Sequence, residues 1–180
     1  MKTIKESLFA FGKYEDCKIF ELEEGLYHIG FLSDSAVFSS QIYINEKRRK
    51  LEIQTIIPLK TDKNKLAVLA DLIVRINNNL FLGRFDLDFD TGVVICKTSI
   101  IVGKDNLNND TLKHLFYSNW AAASVYFGAI NAVIFQNITP KTALAMMDED
   151  SDDDTVDDEN LKTDKPFDRG LDGFFRGSLN

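Results

Sequence analysis

Between residues 18 and 57 the chain consists of short apolar runs joined by short polar links. The runs cover residues 18–22, 26–31, 38–44 and 51–57, and the link between the first two is Glu-Glu-Gly, a turn signal. In the third run Phe38, Ser40, Ile42 and Ile44 alternate with other residues and so share one face of a strand. This pattern predicts an antiparallel meander whose last strand stops at Pro58.

A second kind of periodicity begins just after this region. Apolar residues recur at spacings of three and four, which is the stripe of an amphipathic helix, at Leu66, Leu69, Leu72, Ile73, Ile76 and Leu80. Thr61 or Asp62 is the expected N-cap. Residues 77–79, three asparagines, and Gly83 end the predicted helix.

Three further helices are predicted. A short one covers residues 3–13, and a long one covers roughly residues 110–135 with Asn109 or Asp110 as its cap. The last runs from Thr139 and Pro140 to Met147, with proline at the first helical position. Strands flanked by helices predict an α+β domain with an antiparallel sheet and the order helix, three or four strands, helix, two strands, helix, short helix.

Residues 85–92, Phe-Asp-Leu-Asp-Phe-Asp-Thr-Gly, raise the question of a calcium loop. If Asp86 were position 1 of an EF loop, position 12 would be Lys97, a cation where a chelating glutamate is required. The aspartates also alternate with apolar residues, which is typical of a strand. We therefore predict a hairpin whose turn is Asp90-Thr91-Gly92, and no metal site.

Charge divides the chain into two unequal parts. The net charge is −7, but residues 148–180 carry 12 acids and 4 bases, while residues 1–147 carry 16 acids and 17 bases. Nine of the twelve residues 148–159 are acidic, so this stretch cannot bury enough apolar surface to fold. We predict a domain over residues 1–147, an acidic disordered linker over 148–164 and an aromatic C-terminal segment over 165–180.

The sequence contains no recognisable catalytic constellation. It has no GxSxG, P-loop, HExxH or dinucleotide fingerprint. Cys17 with His28 would make a nucleophile and base, but no third group orients them, and a buried cysteine with an ordinary strand histidine is the plainer interpretation. Two cysteines outside any CxxC motif, no apolar span of membrane length and no signal peptide favour a cytoplasmic protein. We expect neither an enzyme nor a bound cofactor.

Residues 72–88, LIVRINNNLFLGRFDLD, followed by Gly92, Val93 and Val94, resemble the YbjN family of bacterial proteins. Residues 138–144, ITPKTAL, resemble the closing element of that family, and the likeness covers roughly residues 5–147. The resemblance implies a type III secretion chaperone-like fold of order α-β-β-β-α-β-β-α. It also implies a homodimer and a role as a chaperone, adaptor or regulator. The acidic tail departs from the usual short family member.

Three groups of residues are candidate binding elements. The long helix is apolar on more than one face, which suggests a partner or dimer contact, or else cover by the sheet and the second helix; its candidate residues are Trp120, Tyr126, Phe127 and Ile130. The C-terminal segment is either a solubilising tail with a frayed end or a candidate docking motif, on this protein's own body or on a partner, formed by Phe167, Leu171, Phe174 and Phe175. The one dense basic cluster is Lys47, Arg48, Arg49 and Lys50, more typical of a solvated turn than of a binding patch.

Two functions follow from these features. The first is a non-enzymatic protein-binding module that contacts a protein partner of unknown identity as a homodimer, without membrane contact. The alternative is a nucleic-acid-associated regulator in which the acidic tail is autoinhibitory and competes for residues 47–50. A neutral body with an acidic tail does not favour nucleic-acid binding, so we prefer the first function.

Overall fold

The computed structural model of the protein describes residues 2–103 and 107–149. Its helices and strands follow the sequence in one mixed order: α1 (Ile4–Tyr14), β1 (Phe20–Glu23), β2 (Leu26–Leu32), β3 (Val37–Asn45), β4 (Lys50–Lys60), α2 (Leu66–Asn79), β5 (Arg84–Leu87), β6 (Val93–Ile101), α3 (Asn109–Phe135) and α4 (Pro140–Glu149). The predicted α+β class is confirmed. Four strands precede α2, where the family resemblance implied three, because the short β1 forms a strand of its own.

The six strands form one antiparallel sheet in the order β1-β2-β3-β4-β6-β5. Burial alternates along the strands; in β3, Phe38, Ser40 and Ile42 are buried while Ser39 and Gln41 are half-buried. We call the side with the buried residues the helix face and the other side the open face. Side chains of successive strand residues point to opposite faces, so one face of the sheet is buried and the other is accessible to solvent.

The core on the helix face consists of two clusters. One lies under α2, the second half of α3 and α4, and includes Leu72, Ile76 and Ile130. The other joins α1 to the first half of α3, where the rings of Phe11 and Phe116 stack with their centroids 5.0 Å apart. The long helix α3 therefore contributes to both clusters and crosses the sheet from one to the other.

The end of β4 and the start of α2 differ from the sequence prediction. Strand β4 does not stop at Pro58 but continues to Lys60, because its register with β6 shifts between Ile56 and Lys60 and a proline without an N–H is tolerated at such an irregularity. A 3₁₀ turn, Lys63–Lys65, stands before α2, and Asp62 makes no side-chain cap hydrogen bond to it.

The predicted hairpin at the aspartate-rich stretch is confirmed, because β5 pairs with β6 in antiparallel register. The Asp88 carboxylate accepts hydrogen bonds from the backbone N–H groups of Asp90, at 2.8 Å, and Thr91, at 3.1 Å, and so shapes the turn. Gly92 has φ of +73°, and a Cβ there would lie 2.3 Å from the carbonyl oxygen of Thr61, so only glycine fits.

The cap of α3 is Asn108, one residue before the predicted positions; its side-chain oxygen accepts from the N–H of Thr111 at 2.8 Å. Thr139 precedes α4 as predicted, and its hydroxyl accepts from the N–H of Thr142. Within the described ranges, no helix is long and apolar enough to cross a membrane.

Candidate protein-binding surface

The open face is organised in rows that run across the strands. One row takes a residue from every strand, joined by the observed registers, in the order Phe20, His28, Gln41, Gln54, Lys97 and Arg84. This central row is mostly polar. On its β1 edge, the Phe20 ring lies 6.4 Å from the His28 ring, and the His28 Nε2 lies 2.9 Å from the Ser39 hydroxyl on the same face. Larger apolar side chains occupy the rows on either side.

On one side of the central row the open face is apolar. Leu32 pairs with Val37 across β2 and β3, and these side chains are 65% and 69% exposed. Ile56 pairs with Ile95 across β4 and β6, and both are half-buried. Because Ile56 is also opposite Ser39, two residues along from Val37, the two pairs are diagonal neighbours on one surface. We call these four residues the apolar end.

The opposite end of the open face carries a shallow depression of about 420 Å³. Its lining residues come from the β1–β2 turn and from β2, β3 and β4, and include Glu23, Glu24, Leu26, Tyr43 and Glu52. Leu26 and Tyr43 are paired across β2 and β3, and the Tyr43 hydroxyl donates to Gln41 Oε1 at 2.6 Å. The depression therefore has an apolar wall and three carboxylates.

The Glu52 carboxylate is held in its charged form. Partial burial by itself would raise its pKa, but hydrogen bonds from Lys50 and Gln54 outweigh burial and keep the pKa of Glu52 below its ordinary value. Lys50 is therefore engaged in an ion pair beside the depression.

The turn between β3 and β4 carries the basic cluster, and the structure divides that cluster. The Arg49 Nε donates to the carbonyl oxygens of Val102, at 3.2 Å, and Gly103, at 3.0 Å, and Lys50 pairs with Glu52. Lys47 and Arg48 are exposed, and no ion pair joins them to another residue in the described part of the chain. Of the four predicted patch residues, Arg49 thus anchors the turn and Lys50 is paired with Glu52.

The four candidate residues on α3 lie against the sheet. Trp120 is buried and its Nε1 donates to the Ser40 hydroxyl at 3.0 Å, and Ile130 is fully buried. The half-buried Tyr126 and Phe127 place their rings edge-on to Phe85 and Phe38, with centroids 5.8 and 5.7 Å apart. Trp120 and Ile130 are thus covered within one chain, while Tyr126 and Phe127 stay partly accessible. A dimer contact through α3 stays a prediction, and the exposed apolar residues of that helix are Val125 and Phe135.

Sequence reasoning missed a buried polar network under the centre of the sheet. The Asn119 side chain of α3 donates to the carbonyl oxygen of Cys96 at 3.1 Å and accepts from the Thr55 hydroxyl. Thr55 and Ser40 lie 2.6 Å apart through their hydroxyl oxygens. The sequence does carry a signal for this network. Ser40 is a small polar residue on the strand face that otherwise carries large apolar side chains.

The structure gives Cys17 and His28 no nucleophilic arrangement. Burial, reinforced by the neighbouring Glu15 carboxylate, raises the pKa of the Cys17 thiol to about 11, so this thiol is protonated at neutral pH. Both cysteines are free thiols. Nowhere in the described ranges do three or more histidine, cysteine or acidic side chains come together in a way that could hold a metal ion. The tail candidates Phe167, Leu171, Phe174 and Phe175 lie outside the described residues.

Comparison with known proteins places the fold. The chain matches no protein-family model and no curated protein. It is similar to the crystal structure of YbjN from E. coli, with a TM-score of 0.55 and 13% identity, over 75% of this chain and 97% of that one. The chain has a YbjN-like fold. This confirms the fold that the resemblance of residues 72–94 implied.

Chains from two protein complexes are also similar. One comes from the HopA1–SchA chaperone–effector complex, with a TM-score of 0.48 and 17% identity, over 67% of this chain and 89% of that one. The other comes from the ExsC–ExsE complex, with a TM-score of 0.46 and 16% identity, over 69% and 90%. At these identities and TM-scores, neither likeness indicates what this chain binds.

Proposed function

We propose that this protein is a non-enzymatic, chaperone- or adaptor-like module that holds a partner polypeptide on the open face of its sheet. The observation that carries the proposal is the apolar end of that face, where Leu32 and Val37 are about two-thirds exposed beside Ile56 and Ile95. Adjacent exposed apolar side chains on a sheet are typical of an interaction surface, whereas single ones are ordinary.

The energetics of the apolar end fit a polypeptide partner. Fully burying a leucine or valine side chain contributes about 1.5–3 kcal/mol, so covering Leu32 and Val37 supplies a substantial part of a micromolar affinity. The polar central row, with Gln41 and Gln54, can exchange hydrogen bonds with a partner backbone or side chains. We therefore expect a partner with apolar side chains at alternating or helical spacing.

The β1 edge offers a second contact to the same partner. All four residues of β1 are exposed, and no described strand pairs with its outer side. A free strand edge can accept an added strand through main-chain hydrogen bonds. The Glu21 Oε2 of β1 forms an ion pair with the Lys5 Nζ of α1 at 2.8 Å, and this contact ties the edge strand to the helix.

We further propose that the module is a homodimer. Val125 and Phe135 lie on α3 and are 58% and 61% exposed. A second copy would bury them, and sedimentation equilibrium of the wild type and of Val125→Asp measures the association directly. A monomer in the wild-type sample at micromolar concentration contradicts this part of the proposal.

The test of partner binding uses the full-length protein as bait in a native lysate, with cross-linking and mass spectrometry. The informative variant is Leu32→Asp with Val37→Asp. Its matched control is Phe89→Asp. This changes an exposed aromatic residue in the β5–β6 turn, and β5 is three strands away from β3, which carries Val37, in the sheet order. We expect a partner that the wild type and the control retain and that the double variant loses. Equal retention by all three proteins would refute the open face as the binding surface.

A further inference from the structure

The charges around the depression have a definite arrangement. Glu23, Glu24 and Glu52 line it, and the turn that follows β3 places the exposed Lys47 and Arg48 next to it, because Asn45 and Lys50 at the two ends of that turn are themselves lining residues. The depression, which is acidic and has an apolar wall, thus adjoins a basic turn. A ligand that fits both must carry cations beside apolar groups and, separately, a run of acids.

The C-terminal part of this same chain has that composition in the required order. Residues 148–159 hold nine acids. Residues 165–176 follow, with the cations Lys165, Arg169 and Arg176 outnumbering the two acids, Asp168 and Asp172, and interleaved among Phe167, Leu171, Phe174 and Phe175. Acids come first and cation-flanked aromatics second, which mirrors the basic turn and the acidic depression.

We propose that residues 165–180 dock in the depression of their own chain, with residues 148–159 lying along Lys47 and Arg48. The apolar wall formed by Leu26 and Tyr43 receives Phe174 and Phe175, and the carboxylates of Glu23 and Glu24 face Arg169 and Arg176. The depression is thereby an intramolecular docking site, and this inference stands whether or not the open face binds a partner.

The chain is long enough to make this connection. Helix α4 ends at Glu149, and the sixteen residues from there to Lys165 span at most about 55 Å when extended. A small domain is about 30 Å across, so the segment can reach either end of the sheet and length alone does not select one. Tethering gives the segment an effective concentration on the order of millimolar, so a shallow site suffices.

A spin label in the full-length protein tests the docking. Ser178→Cys in a Cys17→Ser background carries the nitroxide, since Cys96 is buried and unreactive. We expect the backbone amide signals of Gly25, Leu26 and Tyr43 to lose at least half of their NMR intensity, while that of Gly92 at the far end of the sheet does not. Equal intensity loss at both ends, or none at either, would overturn the proposal.

Two controls separate the alternatives. A mixture of spin-labelled protein and ¹⁵N-labelled protein without the nitroxide reports contacts between molecules, and intensity loss that appears equally in this mixture would show docking on another copy and refute the intramolecular site. In the spin-labelled chain, Phe174→Ser with Phe175→Ser should restore the signals at the depression, and unchanged broadening would refute the aromatic contact.

Charge reversal tests the basic turn. Lys47→Glu with Arg48→Glu should reduce the intensity loss at Gly25 and Leu26 at least twofold. The matched control, Lys60→Glu with Lys63→Glu, makes the same charge change at the opposite end of β4 and should leave it unchanged. An equal effect of both pairs would indicate general electrostatics and contradict a specific contact with the turn.

Discussion

The two faces of the sheet are made by the same strands and differ in how deeply their side chains are buried. In β4, Leu51, Ile53, Thr55 and Ile57 are buried on the helix face, while the residues between them are half-buried on the open face. The helix face is closed by α1, α2 and α3 with matched aromatic contacts, whereas the open face leaves large apolar side chains in water. Most of the buried apolar surface thus lies on one side of the sheet, and the other side is the one that we propose for binding.

The largest effect is expected on the helix face, where Phe116 is fully buried between Phe11 and Trp120, with ring centroids 5.0 and 5.2 Å away. Phe116→Ala removes these contacts and leaves a cavity, so we expect a loss of about 3–5 kcal/mol in the free energy of unfolding, measured by denaturant titration. Phe20→Ala, at an aromatic residue of the open face that is 55% exposed, should change it by less than about 0.5 kcal/mol. Similar losses for both would erase the distinction between the faces.

A second effect tests the buried network beneath the sheet. Asn119→Ala removes the donor to the Cys96 carbonyl and the acceptor of the Thr55 hydroxyl. We expect a loss of about 1–3 kcal/mol in the free energy of unfolding, because buried polar groups are left without partners. Thr55→Val leaves the Asn119 amide paired with the Cys96 carbonyl and removes only the hydroxyl contacts of Thr55 with Asn119 and Ser40, so it should cost less than Asn119→Ala. An equal or larger loss for Thr55→Val would place the main contribution on the hydroxyl contacts instead.

The third effect concerns pH and the open face. Partial burial alone would raise the pKa of Asp86, but hydrogen bonds from Lys97 and Arg84 outweigh burial and lower it below its ordinary value. Asp86 therefore stabilises the folded state at pH values above its ordinary pKa, near 4, and this contribution is lost as pH falls through the lower folded-state pKa.

Asp86→Asn should accordingly reduce the free energy of unfolding at pH 7 and make its decline below about pH 4 less steep. The side chain is 37% exposed, so we expect less than about 1 kcal/mol. Thermal unfolding between pH 2 and pH 7 measures this. An unchanged pH profile would mean that the ion pairs of Asp86 contribute nothing in solution.

A similarly small effect on stability is expected at the apolar end. Leu32→Asp with Val37→Asp should shift the free energy of unfolding by no more than about 1 kcal/mol in total, because both side chains are largely exposed. The same substitutions should abolish capture of the partner. A large loss of stability would show that these residues belong to the fold and would weaken their assignment to binding.

Periodicity predicted most of the fold. The alternating runs gave β2, β3 and the β5–β6 hairpin, and the three-and-four spacing of Leu69, Ile73 and Ile76 gave α2. It failed where tertiary context overrides local rules. Pro58 lies within β4 because a register shift on the β6 side accommodates it, and the 3₁₀ turn before α2 has no distinct signal in Lys63–Lys65.

The candidate surface was harder to predict. The open face is formed by cross-strand neighbours such as Val37 and Ile56, and which strands are adjacent depends on the sheet order, with β6 inserted between β4 and β5. Sequence reasoning selected Trp120 and Ile130 because α3 is apolar all round, but a helix crossing two core clusters is apolar for the same reason. The run of acids followed by aromatic residues marked out the C-terminal segment in the sequence, and its docking stays a prediction.

Helix α1 depends on residues that are synthesised much later. The backbone N–H groups of Ile4 and Lys5 donate to the carboxylate of Glu46, and Leu8 and Phe11 are buried together with Phe116 of α3. During translation the first helix therefore leaves the ribosome about a hundred residues before its core partner. Its apolar stripe therefore lacks its α3 partner for most of the synthesis of the domain.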